Sequence, residues 1–168
     1  MNEIFWPQGY IPGETDNFAS NEIIVKGLSA EEVWPYLENA LEWPIYYENA
    51  TDIHFYNIPG PVLSNGARFR FTTFGLIVEA EVVEFVPPVD GKPARIAWHG
   101  WYDGSEEEKL DVHHAWLMEN LEGGRVRILT QETQKGMPAK KMAVEKPNPM
   151  INAHQDWLEG LVKASKKQ

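Results

Sequence analysis

The residues best placed to do chemistry are His114 and Glu132. Leu110, Val112, His114, Trp116 and Met118 share one parity, as do Val126, Ile128, Thr130 and Glu132, so each set belongs to one face of a strand. Between them, Glu122-Gly123-Gly124 reads as a three-residue hairpin loop with a left-handed glycine, which pairs Leu121 with Arg125. That register sets His114 opposite Glu132, Trp116 opposite Thr130 and Met118 opposite Ile128. A two-residue Gly-Gly turn would set His114 opposite Thr133 and break the agreement of the two faces unless a bulge intervened. An inward imidazole–carboxyl pair can transfer a proton, anchor a polar group of a ligand, or satisfy two half-buried polar groups. In every case the two side chains should meet.

Ile151, His154, Trp157, Leu158 and Leu161 form the apolar stripe expected of a last helix, which turns His154 inward. There it either caps a cavity or bonds a backbone carbonyl. His99, His114 and His154 lack a tight i, i+4 pair and a supporting acid motif, so neither a metal site nor a cofactor is expected. Trp98, Trp116, Trp157 and Phe71 suit a pocket wall or a core equally well. The expected ligand-binding set is therefore His114, Glu132, Trp116, Thr130, Trp98, Phe71, His154 and Trp157. Arg68 and Arg70 read as the solvated face of a strand. Without cysteine there is no thiolate nucleophile, disulfide or cysteine–zinc site. Serine-nucleophile, phosphate-loop and dinucleotide signatures are also missing, and the 59–66 loop, a plausible pocket mouth, lacks the lysine and helix start of a phosphate cradle.

Strands are expected at 22–26, 51–57, 67–74, 76–87, 94–102, around 110–119 and around 125–135. Glu79 and Glu81 are odd but Glu84 is even, so keeping all three outward requires a bulge near Val82–Val83. Ile96, Trp98 and Tyr102 share one face of the fifth strand and His99 and Trp101 the other, and the pattern does not decide which is inside. Ser29-Ala-Glu-Glu32 fits a capping box opening a short helix that Pro35 should kink, and a second short helix covers 40–47. Asn148-Pro149 opens the last helix, whose end Lys163, Lys166 and Lys167 suit electrostatically. Residues 1–20 read as an extended arm pinning Phe5, Trp6, Tyr10 and Phe18 onto a single domain, 21–168. Lys135, Lys140, Lys141 and Lys146 read as a solvated loop.

The chain has 168 residues, 43% hydrophobic, with seven Trp, seven Phe and six Tyr, enough for one well-buried domain. A net charge of −10 disfavours nucleic acid and anionic membrane surfaces. No signal peptide and no membrane insertion are expected, which makes a cytoplasmic location the default.

Several stretches together resemble the START-like (SRPBCC, helix-grip) superfamily, and more particularly its polyketide cyclase/dehydrase-like branch. They are Val33-Trp34, Trp43-Pro44 with Tyr46-Tyr47, Gly66-Ala-Arg-Phe69, Thr72-Thr-Phe-Gly75, His114-Ala-Trp116, Glu132-Thr133 with Gly136, and His154 with Trp157-Leu158. They run in order from about Glu22 to Ala164. The resemblance implies an α+β helix-grip fold: a curved seven-stranded antiparallel sheet wrapped around a long C-terminal helix, with two short helices between strands 1 and 2. It implies a cavity between sheet and last helix but no single chemistry, since the fold hosts hormone and lipid binders, aromatase/cyclases and a chaperone ATPase activator. No catalytic residue carries over. The expected function is binding of an apolar, ring-bearing small molecule. The alternatives are a cyclase/dehydratase-type enzyme using the His–Glu pair, and a protein-interaction module. Ligand identity, turnover and oligomeric state are not legible.

Overall fold

The structure, a computed structural model, describes residues 1–166. The chain enters its sheet with Asn17–Lys26 (β1) and crosses to the far edge through Ala30–Glu38 (α1), a 3-10 turn at Ala40–Glu42 and Trp43–Tyr46 (α2). It then runs back by hairpins through Thr51–Phe55 (β2), Arg68–Thr73 (β3), Leu76–Val86 (β4), Ala94–Tyr102 (β5), Leu110–Leu121 (β6) and Arg125–Lys135 (β7). Met137–Val144 (α3) and Pro149–Ser165 (α4) close the fold. The seven strands form one curved antiparallel sheet in the order β1-β7-β6-β5-β4-β3-β2, the helix-grip architecture. Among the described residues no helix is long and apolar enough to cross a membrane.

Local chemistry explains the elements. Glu32 N–H donates to Ser29 Oγ at 3.3 Å and Ser29 N–H to Glu32 Oε1 at 3.2 Å, completing the capping box of α1. α1 runs through Pro35, which lies on the exposed face where water can serve the carbonyl its ring leaves unpaired. The β4–β5 register shifts between Val82 and Glu84, the bulge demanded by the glutamate parities. β1 begins at Asn17 rather than at residue 22, because Asn17, Ala19 and Asn21 bury one face while the strand pairs along β7.

The main core fills the space between the concave face and the helices, with Trp34, Trp43, Phe69, Trp98, Trp116 and Trp157 among its members. On the opposite face, Ile4 and Trp6 of the arm cover Ala97, Ala115, Leu117 and Leu129. His113 points to that outer side, as its parity requires, yet it is buried beneath Trp6 and Tyr10.

Two helical readings need correction. Residues 137–144, expected as a lysine-bearing loop, form α3, with Lys140 and Lys141 on its exposed side. In α4, Ile151 is 40% exposed, and the buried stripe is instead Met150, Ala153, His154, Trp157, Leu158, Leu161 and Val162. Asn148 caps α4 and Pro149 opens it; Lys167 lies outside the described residues.

Candidate functional site

The β6–β7 hairpin sets the site. Gly123 and Gly124 both take the left-handed φ that lets Leu121 pair with Arg125, and the register then places His114 opposite Glu132. Trp98 of β5 pairs with His114 from the other side, so Ile96, Trp98 and Tyr102 are the inward face of that strand. From above, α4 lowers His154 and Trp157 onto this row. It can come close because Gly160 has no Cβ, which would collide with the Tyr46 carbonyl. Tyr46 Oη also accepts from Trp157 Nε1 at 3.3 Å and donates to Tyr36 O at 2.9 Å, fixing the indole.

Between sheet and α4 lies a cavity of about 190 Å³. Its walls are Tyr47, Phe71, Phe74, Leu76, Val78, Trp98, Leu110, Val112 and Trp157, closed at the rim by Pro138 and Met142 of α3 and Met150 of α4. Six of the eight sequence-derived residues line it: His114, Glu132, Trp98, Phe71, His154 and Trp157. Thr130 and Trp116 do not line it: they are the next cross-strand pair along the same inward face, where Trp116 packs in the core against Trp157 with ring centroids 5.3 Å apart. The 59–66 loop is not the mouth: Leu63 is buried, and its N–H donates to Glu38 O at 2.8 Å, tying the loop to the end of α1. Gln134 also lines the cavity and was findable, since it continues the parity of Thr130 and Glu132.

The polar end of the cavity is built from His114, Glu132 and His154. Thr130 Oγ1 donates to Ala115 O at 3.3 Å, so it accepts from His114 Nε2–H at 2.8 Å. That assigns the imidazole tautomer and leaves Nδ1 bare, facing Glu132 Oε1 at 3.4 Å. The other Glu132 oxygen accepts from Gln134 Nε2 at 2.5 Å. Gln134 Oε1 accepts from Asn17 Nδ2 at 2.8 Å, and Asn17 Oδ1 from Asn148 Nδ2 at 2.7 Å, a relay that holds the carboxyl in place. His154 stacks on His114 with ring centroids 4.4 Å apart, and its buried Nδ1 has no hydrogen-bond partner.

Burial governs the charge state. It pushes the Glu132 carboxyl up to about 8, against the opposing pull of Gln134. It also lowers His154 to about 4 and holds His114 well below the usual imidazole range, helped by His154 and His113 nearby. A histidine and a glutamate this close can form an ion pair, but at neutral pH both are uncharged. The contact joins a neutral acid to a neutral base, and 3.4 Å is too long for a strong O–H···N bond. The acid proton is therefore available to something in the cavity, which the His154 ring also lines.

His99 is not part of this cluster. It lies on the outer face, bonded to Asp111 at 2.7 Å beneath Tyr10, so the three-histidine grouping considered from the sequence does not assemble. Glu132 takes its place beside His114 and His154.

No protein-family model matches the chain, and no curated protein matches it by sequence. Among solved structures, norcoclaurine synthase from Thalictrum flavum superposes with a TM-score of 0.62 at 13% identity, over 88% of this chain and 92% of that one. The di-domain ARO/CYC BexL of the BE-7585A biosynthetic pathway gives 0.60 at 13% identity, over 86% of this chain and 45% of that one. Both establish the START/Bet v1-like fold. The hypothetical protein jhp0584 of Helicobacter pylori is far nearer: 52% identical over 98% of this chain and 97% of its own, with a TM-score of 0.93. The chain thus belongs to the same family as jhp0584, built on the START/Bet v1-like helix-grip fold.

Proposed function

We propose that this protein binds a small apolar molecule of one or two rings, bearing a hydroxyl or carbonyl, in the cavity beneath α4. The carrying observation is an aromatic-walled hollow that ends at three uncharged polar groups, one with an orphan nitrogen. Volume selects the ligand class. A dry cavity of about 150 Å³ accepts benzene, so about 190 Å³ suits one substituted ring or a compact pair. Sterols, long acyl chains and multi-ring polyketides exceed it. The hollow also favours a pocket over an interaction module with a solid interior.

A second reading is favoured by the site's protonation. A carboxylic acid kept neutral beside a bare imidazole nitrogen is an acid–base couple, the arrangement a cyclase or dehydratase needs. The likeness in fold to BexL and norcoclaurine synthase is compatible with it. Under this reading Glu132→Gln abolishes turnover, whereas under simple binding it only shifts affinity.

The test is a thermal-shift screen of substituted phenols, indoles and naphthols beside sterols and fatty acids. A one- or two-ring ligand at 100 times its Kd should raise Tm by about 5–10 °C. Stabilisation by sterols or acyl chains alone would overturn the assignment.

A further inference from the structure

We infer that His114, Glu132 and His154 form a site for one divalent transition-metal ion, zinc above all, at the polar end of the cavity. One nitrogen from each imidazole and one carboxylate oxygen lie within 4.8 Å of one another, and all three residues are buried. Two imidazoles and a carboxylate make a set of three protein ligands known from open zinc sites, whose fourth position is left to water or substrate. Here that position faces the cavity.

Three features distinguish this cluster from a chance meeting of polar residues. First, the atoms pointing away from the centre are tied down. His114 Nε2 is held by Thr130 and the second Glu132 oxygen by Gln134, while Asn17 and Asn148 stand behind Gln134. Such outer support fixes ligand orientation in metal sites. Second, the inward atoms are uncommitted. His114 Nδ1 is left bare by its tautomer, and buried His154 Nδ1 has no partner at all. Third, apart from Thr73 and from Gln134, which is committed to Glu132 and Asn17, the rest of the wall is almost wholly apolar or aromatic, so little competes with these three groups for an ion.

Bonds of about 2.1 Å place tetrahedral ligand atoms about 3.4 Å apart, so the group must contract from its present span. His154 can make that movement by turning out of its stack on His114, because no hydrogen bond fixes its Nδ1. One carboxylate against a dication leaves a positive charge, which a hydroxide, phenolate or carboxylate in the fourth position would balance. The inference does not depend on the proposed organic ligand, because the ion's protein ligands are complete without it.

The experiment uses the full chain stripped with a chelator and then titrated with Zn²⁺ by calorimetry and with Co²⁺ by visible absorption. We expect one equivalent per chain, micromolar or tighter, with Co²⁺ bands typical of a four- or five-coordinate nitrogen–oxygen site. Glu132→Gln and His154→Gln should each weaken binding at least about 100-fold, by comparison with the 10–100-fold typical of supporting residues alone. His99→Gln should leave it unchanged. Folding of every variant is checked by circular dichroism. Absence of one-equivalent binding in the folded wild-type chain overturns the site whatever the variants do. So does binding that survives both site substitutions or is lost in His99→Gln. Phenol or indole binding measured on the stripped protein separates failure here from failure of the pocket reading.

Discussion

Replacing Glu132 by Gln should remove the alkaline decline in the protein's stability. In the folded chain the Glu132 carboxyl titrates near 8, whereas in the unfolded chain it does so in the ordinary carboxylate range. A carboxyl with a raised folded pKa stabilises fully below its unfolded value, and that contribution is lost as pH climbs through the folded value. His113, His114 and His154 act in the opposite sense: their lowered values make stability rise with pH until the unfolded imidazoles, which titrate near 6.5, are themselves neutral at about pH 7.5. Between about pH 6.5 and 7.5 the two trends overlap, so the Glu132 effect is read as the difference between the wild type and Glu132→Gln. One proton is worth about 1.4 kcal/mol per pH unit, so that difference shifts by about 2 kcal/mol from pH 6.5 to 8. For a chain of this size that lowers the wild-type Tm relative to the variant's by about 4–8 °C. Thermal melts by circular dichroism across this range should show the wild-type Tm falling by this amount relative to Glu132→Gln, in which the new amide can still accept from Gln134. A Tm difference between the two that does not change with pH would refute the assignment of a buried, protonated acid.

Three further outcomes are expected. His154→Leu removes an unpartnered buried nitrogen and should raise stability by about 1 kcal/mol while abolishing ring-ligand affinity; calorimetry and chemical denaturation report the two separately. Gly160→Ala should destabilise by about 1–3 kcal/mol despite its better helix propensity, because the added methyl strikes the Tyr46 backbone; a gain in urea midpoint would show that α4 sits farther out. Val112→Phe should fill part of the hollow, leaving the circular dichroism spectrum unchanged while removing the thermal shift given by phenols.

Much of the sheet was legible because alternation and turn chemistry determine it. Gly123 and Gly124 set the register that joins His114 to Glu132, and the parity of three glutamates located the bulge in β4. Where polar residues pack against other elements the pattern failed. Asn17 read as arm and Asn21 fell just short of the expected strand, yet Asn17 bonds Gln134 and Asn21 donates to Ile151 O at 2.9 Å, so both are strand residues held by other elements. Met137–Val144 carries one proline, two lysines and little amphipathic contrast, so nothing local announced a helix over the pocket rim. Ile151 fits the helical period of the apolar stripe, whereas the buried face of α4 is set by its approach to α1, α2 and the sheet. The eight site residues follow the same division. The strand and helix faces pointed them inward, but only packing decided where along that face the hollow ends, leaving Thr130 and Trp116 in the core.

The most direct test of the hollow beneath α4 is a crystal soaked with a brominated phenol and measured at the bromine absorption edge. One anomalous peak is predicted in the cavity beside Trp98 and Trp157, with the phenol oxygen within hydrogen-bonding reach of His154 or Glu132. Bromine found only at the molecular surface, with side chains closing the space between sheet and helix, would contradict it.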